Sequence, residues 1–108
     1  MAKEQGMSDL PKLVRNNIPE IIAASNKGCK YRIASREEMK FLLFDKLREE
    51  SEEFLKEPSV EEAADIYEVF LAVLNHWDIN FYDVVNHSYY KRDEKGSFSN
   101  NVILESVE

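Results

Sequence analysis

The sequence predicts an all-α domain, and three features carry that prediction. Ser35 and Ser59 each stand three residues before a glutamate, Glu38 and Glu62, which is the spacing of a helix capping box. Neither Gly nor Pro occurs between Gly28 and Pro58 or between Pro58 and Gly96, so both stretches can run as uninterrupted helix. Within them apolar residues recur at intervals of three and four, the period of one helix face.

Each element follows in chain order. Residues 1–9 are small, polar and aperiodic, and read as a disordered leader ahead of a single domain over residues 10–108. Leu10 to Asn17 reads as a loop or short strand. Pro19 sits where a first helical turn tolerates proline, so a short N-terminal helix starts at Ile18 and ends near Lys27-Gly28, where glycine fits a left-handed cap. Cys29 to Ala34 is an extended connector. A helix of about twenty residues runs from Arg36 to Lys56. Ser59 caps a second long helix from Val60 to about Trp77, and the short connection through Pro58 makes the two antiparallel neighbours. Asp78-Ile79-Asn80 breaks that helix, and Asn80 and Asp83 are the caps for a third core helix from Phe81 to Lys95. Gly96 stops it, and Val102-Ile103-Leu104 reads as an edge strand or an extended arm.

Composition narrows the function. The chain has 108 residues, 14 Lys and Arg against 21 Asp and Glu, and a formal charge of −7. That balance excludes a broad phosphate-backbone surface, so nucleic acid is not an expected partner. A small anionic ligand remains open, because a metal ion and a few local cations reverse the local field. No run is long enough to span a bilayer, no signal-peptide core is visible, and the single Cys29 cannot form an intrachain disulfide. Cytoplasmic residence is the default expectation. A chain this small with six Phe, five Tyr and one Trp is expected to bury further surface in a dimer or larger homo-oligomer.

The carboxylates fall unevenly. With each helical residue turning about 100° and Leu43 as zero, Met39, Leu47 and Phe54 define the buried stripe of the first long helix, between about −40° and +40°. Glu50 falls at about −20°, inside that stripe; Glu53 borders it at about −80° and Glu52 points away at about 180°. On the second long helix Glu61, Glu68 and Asn75 mark the wet face, while Glu62 shares its side with Val69 and Val73, and Asp65 lies one turn on. Glu50/Glu53 and Glu62/Asp65 thus form two acidic i, i+3 pairs on adjacent helices. Carboxylates gathered at a partly buried surface need compensation, and a divalent cation supplies it. Oxygen ligands without His or Cys suit Mg²⁺, with Mn²⁺ as a substitute. The alternative is that these are ordinary solvated glutamates of a highly charged chain. A carboxylate-bridged di-iron site would require glutamates three residues before His76 and His87, where the sequence has Val73 and Val84.

Four blocks of this sequence resemble one family. Glu49-Glu50-Ser51-Glu52-Glu53 and Glu62-Ala63-Ala64-Asp65 are similar to the E-E-x-x-E and E-x-x-D motifs of the MazG-like all-α nucleoside triphosphate pyrophosphohydrolases. Lys12-Leu13-Val14-Arg15-Asn16-Asn17-Ile18-Pro19-Glu20-Ile21-Ile22 resembles the K-L-V-R-D-K-I-P-E-I-I opening of the phosphoribosyl-ATP pyrophosphohydrolase-like branch, and Lys91 to Phe98 resembles its K-x-x-E-R-G-G-F close. The resemblance implies a helical bundle in an intertwined dimer, and Mg²⁺-dependent cleavage between the α and β phosphates of a nucleotide. It implies Glu50, Glu53, Glu62 and Asp65 as metal ligands, with Glu49 a further acid or water-orienting base beside Glu50. It also implies Lys12, Arg15, Lys91 and Lys95 as phosphate contacts. Asn16-Asn17 departs from the family's Asp-Lys, and Lys95 and Ser97 from its Arg and second Gly; none of these is an expected metal ligand. Two other readings stand beside the enzyme: a non-catalytic nucleotide- or partner-binding module, and a purely structural helical oligomer.

Overall fold

The computed structural model describes residues 10–108, and among them it forms four helices and no strand: α1 (Ile18–Ala24), α2 (Arg36–Lys56), α3 (Val60–His76) and α4 (Phe81–Lys95). The expected leader lies outside the described residues. No helix among the described residues is long and apolar enough to cross a membrane.

The helix starts follow their caps. At α2 the Ser35 hydroxyl accepts from the Glu38 amide at 3.2 Å while the Glu38 carboxylate accepts from the Ser35 amide at 3.0 Å, a reciprocal capping box. The Ser59 hydroxyl accepts from the Glu62 amide at 3.1 Å and starts α3. Asn80 alone caps α4, its Oδ1 accepting from the amides of Tyr82 and Asp83 at 2.8 and 3.1 Å, so Asp83 is a recipient of the cap and not a second one.

Two helix ends differ from expectation. α1 stops at Ala24, not at Gly28, because the Ser25 hydroxyl donates to the Ile22 carbonyl and Asn26 takes the left-handed conformation at φ 62°. Asparagine tolerates that region, so the chain leaves the helix before glycine is reached. α3 ends at His76, one residue early, with Asp78 left-handed at φ 55°. Gly96 does stop α4 as expected, at φ 88°.

α2 and α3 pack along their lengths and make the body of the molecule. Leu43 and Leu74 are the apolar side chains buried in their seam. The Arg36 guanidinium donates to the His76 carbonyl at 2.9 Å, tying the start of α2 to the end of α3 and confirming the antiparallel pairing. Near the same end Phe44 and Trp77 stack with ring centroids 4.9 Å apart. α4 departs from the expected third core helix. It meets α3 where the Phe81 and Tyr67 rings stand perpendicular with centroids 6.3 Å apart, contains no buried residue, and is not packed along either long helix. Beyond it the chain turns at Phe98 to Asn101 and continues as an extended arm, not as a strand. The result is elongated, 62 × 31 × 24 Å.

Candidate functional site

The site grows from the buried stripe of α2. Glu50 is 3% exposed on the same stripe as Leu43, as its angular position requires, while Glu52 is exposed and Glu53 is intermediate. On α3, Glu62 and Asp65 are half-buried and Glu61, Glu68 and Asn75 face solvent. The two acidic pairs therefore lie on the sides of α2 and α3 where the helix periodicity places them.

The segment before α1 crosses this pair of helices and delivers cations to both. Lys12 Nζ lies 2.8 Å from Glu49 Oε2 on α2, and three residues later Arg15 Nη2 lies 2.8 Å from Asp65 Oδ1 on α3. Lys46, itself 8% exposed, donates to the same Glu49 oxygen at 3.1 Å. Burial alone would push the Glu49 carboxyl up, but the hydrogen bonds from Lys12 and Lys46 outweigh it and hold the group below its ordinary range. A cleft of about 420 Å³ opens between residues 11–13 and α2, and its wall carries Lys12, Lys46 and Lys56 together with Glu49, Glu52 and Glu53. Alternating charge of this kind suits a ligand that brings both anionic oxygens and its own countercation.

The expected residues divide into two groups. Lys12 and Glu49 meet directly on the cleft wall, Glu53 shares that wall, and Arg15 meets Asp65. Lys91 and Lys95 are exposed on α4 and line no part of this cleft; Lys91 borders a separate groove along its own helix. Sequence reasoning missed Lys46. Its angle, about −60° from Leu43, put a lysine at the edge of the buried stripe, and that was the available signal. His76 sits edge-on to Trp77 at 4.4 Å, His87 lies along α4, and Cys29 is exposed; none joins the cleft.

The donor chemistry of Glu50, Glu53, Glu62 and Asp65 is all oxygen and fits a hard divalent cation. Among the described residues no three acidic, histidine or cysteine side chains stand in cation-holding geometry, so loading an ion would have to draw these carboxylates together. Comparison with family models, with curated proteins and with solved structures finds no match for this chain.

Proposed function

We propose that the protein is a Mg²⁺-dependent nucleoside triphosphate pyrophosphohydrolase, working as a homodimer or larger homo-oligomer. The observation that carries the reading is the burial of Glu50 at 3% exposure on the apolar stripe of α2, while the opening segment pairs Lys12 with Glu49 and Arg15 with Asp65. The helix period assigns that position to an apolar side chain, and the sequence places a carboxylate there. Position and chemistry together favour a working group over a structural one.

In this reading Glu50, Glu53, Glu62 and Asp65 would hold the cation, which when bound would neutralise phosphate charge and acidify water. Lys12 and Arg15 exchange their carboxylate partners for phosphate oxygens as the nucleotide enters, which keeps every charge paired. Glu49, once Lys12 leaves it, would orient the attacking water and take up its proton. The new bond forms from water oxygen to the α-phosphorus, the bridging bond to the β-phosphate breaks in line, and pyrophosphate leaves with a nucleoside monophosphate remaining.

The test is substitution of a ligand with the fold retained. Glu50→Gln and Glu62→Gln should each abolish pyrophosphate release while helix content and melting stay close to wild type. Wild-type turnover by either folded variant would remove the site assignment. One observation favours a second reading, a binding module without hydrolysis: Lys12, Lys46 and Arg15 already neutralise Glu49 and Asp65. Calorimetric binding of a nucleotide without pyrophosphate release, together with no Mg²⁺-dependent rise in melting temperature, would select it.

A further inference from the structure

Among the described residues α4 is not packed along α2 or α3. An open groove of about 460 Å³ runs along it from Ile79 past Val84 and His87 to Lys91. Beyond Gly96 the arm carries Phe98, Val102, Ile103 and Leu104, which are 99%, 82%, 79% and 78% exposed. No arm residue lines that groove. One chain therefore holds an apolar groove and, a few residues later, an apolar segment of matching length, and keeps them apart. From Asp83 to Lys91 the helix advances about 12 Å, and the three residues Val102 to Leu104 extended cover about 10 Å.

The surface left uncovered is on the scale of a subunit interface. A compact chain of 12.6 kDa exposes about 6,200 Å². This one exposes 9671 Å², about half as much again. Its radius of gyration is 18.0 Å against about 13 Å for a compact chain of this length. Half of that excess area exceeds the ~800 Å² that each partner buries in a stable complex of standard size.

We propose that the α4 groove and the C-terminal arm form a reciprocal dimer interface, the arm of each copy lying in the α4 groove of the other about a two-fold axis. A second copy is the occupant because it supplies the apolar segment and removes its exposure in the same step, and a two-fold pairing leaves neither surface over. The groove is shallow and open, whereas a small-molecule site encloses most of its ligand. This inference rests on the homo-oligomeric part of the function proposed above, and not on its chemistry.

The test is sedimentation velocity on the full chain at micromolar concentration, with Ile103→Asp/Leu104→Asp in the arm and Val84→Asp in the groove as variants. Wild type should sediment at twice 12.6 kDa. Each variant should weaken the dimer by about a hundredfold or more, since charge replaces buried apolar surface. The arm variant should keep its helix content, because both residues are largely exposed in the single chain. A wild-type dimer unaffected by either variant would overturn the assigned surface while leaving the oligomer standing. A wild-type monomer would overturn both, and if that monomer swells in the arm variant, the arm occupies its own groove. Pyrophosphate release by the same samples reports on catalysis separately, so the two proposals fail independently.

Discussion

Glu38 and Glu49 are carboxylates through which acid acts on the fold. The Arg32 guanidinium forks onto Glu38 at 2.9 and 2.6 Å, and that hydrogen bonding, followed by the Ser35 amide, holds the Glu38 carboxyl down to about 2. Glu49 is lowered as well, by Lys12 and Lys46 acting against burial. A carboxylate whose folded pKa is depressed stabilises the fold above its unfolded pKa and loses that contribution as pH falls through the folded value. For Glu38 the window runs from 4.5 down to about 2. Urea midpoints measured across that range should fall with pH, and Glu38→Gln should flatten the fall; an unchanged slope would contradict the pairing. Lys12 is 9% exposed, so Lys12→Met keeps the alkyl packing and removes one of two cations on Glu49. It should cost about 1–3 kcal/mol and raise the Glu49 carboxyl, read by urea unfolding and by NMR titration. At this scale the sequence was legible wherever angle alone decides: Glu50 in the seam and Glu52 in solvent follow from the helix period. The partners of Lys12 and Arg15 were not legible, because they lie 37 and 50 residues away in the chain and helix periodicity carries no information across a loop.

Helix ends and the seam set stability at the level of elements. Ser35→Ala removes the hydroxyl that receives the Glu38 amide and should cost about 1 kcal/mol. Leu43 is 2% exposed at the centre of the α2 and α3 seam, and Leu43→Ala should cost about 2–5 kcal/mol. Denaturant unfolding ranks the two, and equal losses would contradict a core centred on Leu43. The elements were legible because serine and asparagine caps, Pro19 and Gly96 act locally: α2 and α4 run between the residues expected of them, and α1 and α3 start where expected. Their ends were less so. Asn26 and Asp78 enter the left-handed region ahead of the expected stops, a choice that depends on the competing hydrogen bonds of the turn. The packing of α4 was not legible for a different reason. Val84 and Val85 mark an apolar side, but amphipathicity states that a face needs cover without stating which chain supplies it.

At the scale of the whole molecule, an elongated chain with two apolar residues in its described core, and with Phe98, Val102, Ile103 and Leu104 in water, is half of an assembly in this account. The opening segment and α2 wall a cleft of mixed charge, and in the proposed dimer α4 and the arm hold the copies together. Dimer formation should therefore raise the melting temperature with protein concentration, by mass action. The central claim is the chemistry of the cleft, and one measurement reaches it directly: pyrophosphate release from a panel of nucleoside triphosphates and phosphoribosyl-ATP, with Mg²⁺ or Mn²⁺ and with chelator, by wild type and by Glu50→Gln. Metal-dependent release of pyrophosphate and a nucleoside monophosphate is expected, lost in chelator and lost in the variant. Folded protein that releases none across the panel, or that releases it equally in chelator, would contradict it.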